Sequence, residues 1–455
     1  MIANPRMNRR GFAGAAIAVG GAAALALTGC GSSVVSGGGS ASPSGNPQAD
    51  IDAALAKDAT LTFWAWGPQY KDVVAAFEKA YPSVKVNLVN NGSNNAEYIK
   101  LQNVVKAGSG IPDVAQIEYT ALPQFEFGKS LLDLSKYGVS SMAAKFSPTI
   151  WSQVNINGGI YGLPQDGGPV AMFYRKDVFD QYGLTVPTTW DEYFAAAQKL
   201  HAADPSKFIA ADAGDPSFTE AMIWQAGGKP FAVSGTDIKV NLADKGSTQW
   251  ASMWSKLLDG GLTDTKSPAF SPEWSAGLGN GKYATWLSGA WAAGTLQNRI
   301  PQASGKWRVA QLPQYAVGDN AAGVQGGSSS AVMAASANKL AAIGFVQWIS
   351  TNQGASQIWV DEAGFPAASQ TLSSDAWVNK AVPYFGNQNI NKVFADTLNG
   401  VPSGWQFLPY EIYADSVFND TAGQAWANKS DIAPGLLAWQ KVIVSYGNQQ
   451  GFTVQ

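Results

Sequence analysis

A strand and a helix follow each other in the first strongly patterned part of the chain, close to residue 60. Residues 61–66 (Leu-Thr-Phe-Trp-Ala-Trp) are a mostly apolar run of strand length, and Gly67 and Pro68 interrupt it. Between residues 70 and 81 the apolar side chains recur every three or four positions, which is the period of one helix face. The pattern therefore predicts a strand, a loop and an amphipathic helix.

The same order repeats in the next part of the chain. Apolar and polar residues alternate at 84–88, a helical period follows at 98–105, and residues 113–119 predict another strand. Strands that alternate with helices form parallel βαβ units, whose ligands lie beyond the carboxyl ends of the strands. We therefore expect three loops to converge at that edge, those after Trp66, Asn90 and Glu118.

The N-terminal residues have the composition of an export signal rather than of a folded element. Three arginines precede an apolar run at 12–27 that is short and rich in Gly and Ala, which disfavours a membrane span. We interpret residues 1–29 as a cleaved signal peptide. The Leu-Thr-Gly-Cys segment at 27–30 resembles the lipobox of bacterial lipoproteins, and this resemblance implies a lipid anchor on Cys30.

The route of export and the segment after the anchor follow from neighbouring residues. Asn-Arg-Arg-Gly-Phe at 8–12 resembles the twin-arginine export signal, and an ordinary Sec signal with a basic N-terminal region is the alternative. The Gly, Ser and Pro that dominate residues 31–47 predict a flexible tether, for which we expect the bounds 30–57. The expected location is the outer face of the cell membrane.

Composition and charge exclude several classes of function. The chain has 455 residues and a formal net charge of −3, and loss of residues 1–29 removes three arginines and no acidic residue, which makes the charge −6. Without a basic patch, nucleic acid is not an expected partner. The single cysteine and the single histidine, His201, speak against disulfides, thiol chemistry and histidine metal clusters, so we expect neither a metal nor a cofactor.

Several short segments occur in a characteristic order along the rest of the chain. They are residues 61–66 with the helix that follows, Ile-Pro-Asp-Val at 111–114, Tyr-Gly-Leu-Pro at 161–164, residues 173–177 and 187–192, residues 281–291, Gly-Gly at 326–327 and Gly-Phe-Pro at 364–366. In this order and spacing the chain resembles the extracellular solute-binding proteins of ABC sugar importers, the maltose-binding-protein-like class. The resemblance covers nearly the whole chain after the signal peptide.

The resemblance implies an α/β, two-lobed, periplasmic-binding-protein-like fold of type II, with a ligand cleft between the lobes. It places lobe 1 at residues 58–167 and 323–368, and lobe 2 at 168–322 and 369–455. Such proteins close around their ligand by hinge motion at the crossing residues. The resemblance also implies docking of a monomer on ABC permease subunits, whose transport is driven by a separate ATPase.

The balance of aromatic and basic residues favours a neutral sugar as ligand. The chain has 17 tryptophans, whereas only three arginines follow the signal peptide. Arginine is the usual partner of anionic ligands because its fork matches carboxylate or phosphate. Sugars instead present C–H faces that stack on aromatic rings and hydroxyls that need carboxylate or amide partners.

Position along the chain selects the candidate ligand contacts. Trp66 ends the first strand, Glu118 ends the third, and Asp166 lies in the first crossing loop. Trp291, in Ser-Gly-Ala-Trp, resembles the Gly-x-Trp position from which many family members stack an aromatic ring on sugar. The other candidates are Asn91, Trp224, Trp286, Gly327, Phe365 and Trp405.

Each candidate has a structural alternative, and two other functions stay open. A tryptophan is more often a core residue, a carboxylate a solvated or loop-capping group, and Gly327 part of a tight hinge turn. A secreted glycoside hydrolase would use Glu118 and Asp166 as acid and base. A binding protein for a quaternary ammonium compound would use the aromatic residues as a cage. We expect binding without catalysis.

Overall fold

The structure, a computed structural model, describes residues 45–361 and 364–455. The predicted signal peptide, Cys30 and the first part of the tether lie outside these residues. Within them the strands are β1 (Ala59–Trp64), β2 (Val84–Val89), β3 (Val114–Glu118), β4 (Asn155–Ile156), β5 (Gly159–Ile160), β6 (Leu163–Pro164), β7 (Val170–Arg175), β8 (Ala210–Ala211), β9 (Phe231–Ser234), β10 (Asp237–Val240), β11 (Thr263–Asp264), β12 (Thr285–Gly289), β13 (Trp307–Ala310), β14 (Ser328–Val332) and β15 (Thr453–Val454).

The helices lie mostly between these strands. Among the described residues, no helix combines the length and apolar character needed to cross a membrane. The helices are α1 (Pro47–Leu55), α2 (Tyr70–Ala80), α3 (Asn95–Ala107), α4 (Leu122–Phe127), α5 (Pro148–Ser152), α6 (Lys176–Gln181), α7 (Trp190–Ala203), α8 (Pro216–Gln225), α9 (Lys245–Asp259), α10 (Pro272–Asn280), α11 (Ala292–Arg299), α12 (Lys339–Thr351), α13 (Gln353–Asp361), α14 (Ser369–Leu372), α15 (Asp375–Val378), α16 (Ile390–Asn399), α17 (Glu411–Ser416), α18 (Gln424–Asn428) and α19 (Ala433–Gln449), with 3₁₀ turns at Leu134–Tyr137, Val139–Lys145, Pro301–Ala303 and Pro383–Phe385.

The largest sheet has five strands in the order β2-β1-β3-β14-β6. Its first three strands are parallel and are joined through α2 and α3, as the sequence pattern predicts. The chain returns much later to add β14, which is antiparallel to both β3 and β6. Because β1 ends at Trp64, Trp66 lies just beyond the carboxyl end of the strand, where parallel sheets bind ligands.

A second group of sheets is built around β7, which pairs with β12 on one side and β13 on the other, both antiparallel. Residues 170–173 (Val-Ala-Met-Phe) are buried without alternation, because neighbours cover both faces of this strand. The smaller sheets β15-β10-β9 and β11-β8 complete the group. Several tryptophans, including Trp190, Trp250 and Trp254, fill the core beside it.

Three segments run side by side between the two groups of strands. The Gln325 N–H donates to the carbonyl of Gly168 (2.8 Å), and the Val170 N–H donates to the carbonyl of Gly323 (2.9 Å). The third segment joins them where the Ala367 N–H donates to the carbonyl of Gln165 (3.1 Å). These are the places where the resemblance puts the crossings between the lobes.

The N-terminal helix corrects the predicted tether. Residues 47–55 were expected to be flexible, but they form α1, which packs against α12. Ile51 and Leu55 lie one helical turn apart and are both buried, and Leu55 lies against Gly344, which has no side chain to exclude it. Asn46 accepts a hydrogen bond from the Ala49 N–H and so caps the first turn (3.3 Å). Residues 47–55 are therefore helical and packed, rather than flexible as the bounds 30–57 implied.

Removal of the Ile51 side chain tests whether α1 is part of the folded unit. We expect Ile51→Ala to lower the free energy of unfolding by about 2–4 kcal/mol, because it leaves a cavity under α1. Urea denaturation of the chain without its signal peptide measures this loss. The matched control, Asp52→Ala on the exposed face of α1, should change stability by less than about 0.5 kcal/mol. Equal stability of both variants would show that residues 47–55 do act as tether.

Candidate ligand-binding cleft

A cavity of about 700 Å³ lies at the carboxyl ends of β1 and β3, next to the three crossing segments. The loops that follow these strands form one part of its wall, and α11 and the start of α8 form another. The lining residues are Trp66, Gly67, Pro68, Gln69, Ser93, Asn94, Gln116, Glu118, Asp166, Ser217, Phe270, Trp291, Gly294, Thr295, Asn298, Arg299, Gln325, Gly326, Gly327, Ser328, Trp359, Gly364 and Phe365.

Hydrogen bonds to β3 hold Trp66 at the cavity. The buried Gln116 side chain accepts from the backbone N–H of Trp66 (3.0 Å) and from that of Gly67 (3.3 Å). The half-buried Trp66 ring packs edge-on against Tyr98, with ring centroids 6.1 Å apart. The chain thus turns sharply after β1 and leaves the Trp66 ring against the cavity. Trp64, two residues earlier, is more deeply buried.

Glu118 is the last residue of β3, and both of its carboxylate oxygens are oriented by donors. The Tyr98 hydroxyl donates to Oε2 (2.9 Å), and the Asn94 amide donates to Oε1 (3.2 Å). Burial raises the pKa of Glu118 to about 7, the Tyr98 hydrogen bond opposes this shift, and the charge of Asp166 adds to it. The carboxyl is held in place but is poorly solvated, so any further hydrogen-bond donor would stabilise its ionised form.

Asp166 occupies the first crossing segment. Its Oδ1 accepts from the Ser328 backbone N–H (2.5 Å), and its carbonyl accepts from the Tyr119 hydroxyl (2.8 Å). Burial raises the pKa of Asp166 to about 7, although the Ser328 N–H and the residue's own N–H act in the opposite direction. Asp166 therefore connects the cavity to two crossing segments at once.

Trp291 lies at the start of α11, on the lobe 2 side of the cavity. Its indole N–H donates to the carbonyl of Gln325 (2.8 Å) in the second crossing segment. Phe270 and Trp286 pack against it, with ring centroids 6.2 and 5.8 Å from the indole. A side chain at residue 289 would overlap the indole nitrogen, so this close approach needs Gly289. The ring is fixed from three directions.

Six of the ten predicted contacts lie on the cavity wall: Trp66, Glu118, Asp166, Trp291, Gly327 and Phe365. Trp286 lies behind Trp291 and borders a neighbouring cavity of about 540 Å³, so its place is one layer too deep for the main cavity. Asn91 is also outside the wall, and its neighbours Ser93 and Asn94 line it instead. The role of these side chains in binding stays a prediction.

Trp224 and Trp405 are wrong as cleft residues. Their rings stack on each other at 5.1 Å with an angle of 8°, and both are buried in lobe 2. Trp224 also donates to the carbonyl of Pro402 (2.6 Å), so its polar group is satisfied internally. Because the two rings come from distant parts of the chain and stack on each other, they are core residues. A core position is the structural alternative given above for any candidate tryptophan.

Part of the cavity wall was missed although the sequence holds a signal for it. Thr295, Asn298 and Arg299 follow Trp291 at offsets of four, seven and eight, so they share its face of α11. The Arg299 guanidinium lies over the Phe270 ring, 5.3 Å from its centroid. Phe270 itself has a positive φ of 67° in a loop, and no pattern in the sequence places it at the cavity.

Curated and solved proteins resemble this chain over most of its length. The chain is 26% identical to a lactose-binding protein of Rhizobium radiobacter, over 81% of this chain and 87% of that protein. It superimposes with a TM-score of 0.80 and 40% identity on an ABC transporter associated binding protein of B. animalis subsp. lactis Bl-04 in complex with β-1,6-galactobiose, over 88% and 100% of the two chains.

A second solved relative agrees, and a family model covers most of the chain. The galacto-N-biose-/lacto-N-biose I-binding protein of Bifidobacterium longum, in complex with lacto-N-biose, superimposes with a TM-score of 0.76 and 27% identity, over 88% of this chain and 99% of that one. The two-lobed fold and the carbohydrate-binding role in an ABC importer are thereby confirmed. Residues 65–356 match the model described as bacterial extracellular solute-binding protein, and the chain belongs to this family.

Proposed function

We propose that this protein captures a short, neutral carbohydrate with a β-linked galactose unit and delivers it to an ABC importer. The observation that carries this proposal is the pairing of a fixed aromatic ring, Trp291, with two oriented carboxyls, Glu118 and Asp166, on one cavity. Its volume of about 700 Å³ is within the range of about 300–1,000 Å³ typical of small-molecule sites.

The names of the relatives support galactose in particular. Lactose, β-1,6-galactobiose and lacto-N-biose are the ligands that these names give. All three are disaccharides in which galactose is joined by a β linkage to another sugar, whereas the linkage position and the second sugar differ. A shared galactose with a variable partner predicts one strict subsite and one tolerant one.

The chemistry of the wall suits such a ligand. An indole ring offers the C–H face of a pyranose a flat apolar surface, and a carboxylate accepts from two sugar hydroxyls. Hydrogen bonds to a charged acceptor are stronger than neutral ones, at roughly 1.5–3 against about 1 kcal/mol. Stacking on Trp291 would thus select the sugar ring, and Glu118 and Asp166 would select its orientation.

Closure of two lobes is the proposed route of capture. We place lobe 1 at residues 58–167 and 323–368, and lobe 2 at 168–322 and 369–455. Three crossing segments support this division because they run side by side at the base of the cavity. A ligand that touches lobe 1 through Glu118 and lobe 2 through Trp291 favours the closed arrangement, since only that arrangement provides both contacts.

In this proposal the protein binds its ligand and does not hydrolyse it. A glycoside hydrolase needs one carboxyl that is protonated and one that is ionised, so the two environments must push their pKa values apart. Burial raises the pKa of Glu118 and of Asp166 alike, to about 7 in each case, so burial does not mark one of them as the acid and the other as the base. Release of monosaccharide from lactose or galactobiose by the purified protein would contradict the proposal.

Anchoring completes the function. We propose that the exported chain, a monomer, is held on the outer face of the membrane by lipid on Cys30. Because α1 begins at Pro47, a tether of fewer than twenty residues would separate the lipid from lobe 1. A Gly/Ser-rich segment of this kind leaves the lobes free to open and close and to reach a permease.

Replacement of Trp291 tests the stacking surface. We expect Trp291→Ala to weaken binding of β-1,6-galactobiose by on the order of tenfold or more, because stacking and apolar contact are lost. Isothermal titration calorimetry measures the change in Kd. The matched control is Trp151→Ala, which removes another half-buried tryptophan away from the cavity and should leave Kd unchanged. Choline or betaine as the only ligand that binds the native protein would favour the aromatic-cage alternative.

The dependence of binding on pH tests the two carboxyls. Hydroxyl donors stabilise the ionised form, so sugar binding should lower both pKa values from about 7 and release protons. Affinity should therefore rise with pH between about 5.5 and about 8. The stability of the free protein should depend on pH in the opposite sense. The raised pKa values of Glu118 and Asp166 contribute fully to stability below about pH 4, and this contribution is lost as the pH rises through about 7.

Glu118→Gln combined with Asp166→Asn provides the control for this pH dependence. The double variant should bind sugar more weakly at about pH 8 and should lose most of the pH dependence, since neither amide titrates. Calorimetry in two buffers with different heats of ionisation counts the released protons. Equal pH dependence in the native and variant proteins would show that the two carboxyls are not part of the binding site.

Replacement of Cys30 tests the anchor. Cys30→Ser should move the protein from the membrane fraction to the medium or the soluble extracellular fraction, because the thiol that carries the lipid is absent. Fractionation of expressing cells with an antibody against the folded part measures this shift, and Ser33→Ala is the control that should stay in the membrane fraction. Membrane association of both variants would contradict lipidation at this residue.

A further inference from the structure

Three acidic side chains that do not themselves line the ligand cavity meet between two helices. Glu220 lies on α8, and Glu411 and Asp415 lie one turn apart on α17. One carboxylate oxygen from each residue lies within 4.8 Å of the others. Glu220 is 3% exposed and Glu411 is not exposed, whereas Asp415 is only partly buried.

The described part of the chain supplies little to compensate these carboxyls. The Leu408 N–H donates to Glu411 Oε2 (2.7 Å), but Glu220 Oε1, Glu411 Oε1 and Asp415 Oδ1 are buried oxygens without a hydrogen-bond partner. None of the salt bridges among the described residues involves them. Buried carboxylates without partners are strongly unfavourable, so a proton or a cation has to balance them.

The electrostatic surroundings make the shortage of positive charge worse. Burial raises the pKa of Glu411 to about 7 and raises those of Glu220 and Asp415 well above the usual range. The other charged groups that act on Glu220 and Asp415, Asp215 and Glu118, are also acids and raise these pKa values further. The cluster therefore attracts positive charge.

One proton shared between two of these residues satisfies only part of the cluster. Glu220 and Glu411 are close enough for a hydrogen bond when one of them is protonated. That proton pairs two oxygens and leaves the Asp415 oxygen without a partner. A cation placed among the three residues would contact one carboxylate oxygen from each of them, since these oxygens lie within 4.8 Å of one another.

We propose that Glu220, Glu411 and Asp415 bind a calcium ion that joins α8 to α17. Calcium binds oxygen ligands at about 2.3–2.6 Å, so two ligand oxygens on opposite sides of the ion are separated by about twice that distance. The three carboxylate oxygens lie within 4.8 Å of one another, which is compatible with this separation. The ligand set is purely carboxylate, which suits hard cations rather than zinc or copper. Asp415 is only partly buried, so solvent reaches the cluster from its side.

The position of the site explains why such an ion matters. The first turn of α8 carries Ser217, which lines the ligand cavity, and one turn further along α8 Glu220 points into the acidic cluster. An ion between α8 and α17 fixes the helix whose first turn borders the cavity. Calcium binding by the sugar-free protein therefore tests the ion site separately from the proposed sugar-binding function.

Calcium titration of the protein without sugar tests this site. The chain without its signal peptide is treated with a chelator, dialysed at about pH 7.5 and titrated with calcium chloride. We expect one calcium per chain by calorimetry and a rise in Tm of roughly 3–6 °C at a hundredfold excess over Kd. Lack of heat and of any Tm shift at several millimolar calcium would overturn the proposal, and so would an equal response to magnesium.

Variants locate the ion. Glu411→Gln and Asp415→Asn should each weaken calcium binding at least tenfold, whereas Glu273→Gln, an exposed acid at the start of α10, should bind calcium as the native protein does. Undiminished binding by both cluster variants would place the ion elsewhere and overturn the proposal. A variant that does not fold is replaced by Glu220→Gln, and circular dichroism verifies folding.

Discussion

The backbone hydrogen bonds between the three crossing segments are the constraint on which the rest of this structure depends. Residue 168 approaches the Gln325 carbonyl so closely that any side chain on it would overlap that oxygen, and only glycine meets this requirement. The same segments position the cavity: Asp166 accepts from Ser328, and Trp291 donates to Gln325. Groups on the wall are therefore bonded to the residues that must move if the lobes open. In the proposed closure, these hydrogen bonds would link the cavity wall mechanically to the hinge.

Parallel topology determines much of the cavity and explains which of its residues were predictable. The carboxyl ends of β1 and β3 meet at one edge of the sheet, so a sequence that predicts these strands also places Trp66 and Glu118. The family resemblance adds Asp166 and Trp291 through the order of motifs. The fold class follows from the same two sources, whereas the end of the tether does not, because the docking of α1 depends on α12, far away in the chain.

Other parts of the site depend on contacts that no local pattern encodes. The richness in tryptophan favours Trp224 and Trp405 as sugar contacts as much as it favours Trp291. The rings of Trp224 and Trp405, however, stack on each other in the core. Trp286 lies on a strand next to the motif and is one layer too deep. The acidic cluster is a similar case: the spacing of Glu411 and Asp415 on one helix face is visible in the sequence, but the approach of Glu220 from another helix is not.

The charges of the cavity set limits on the ligand. Glu118 and Asp166 face it in environments that make ionisation costly, because burial raises both pKa values to about 7. An anionic sugar would add like charge to this pair, and the nearby guanidinium of Arg299 is already placed over the Phe270 ring. A neutral sugar adds no charge, and each of its hydroxyls that donates to a carboxylate stabilises the ionised form of that carboxylate. The shortage of arginine in the chain and the arrangement of its cavity acids therefore support the same proposal, in which recognition uses hydroxyl donors and an aromatic face.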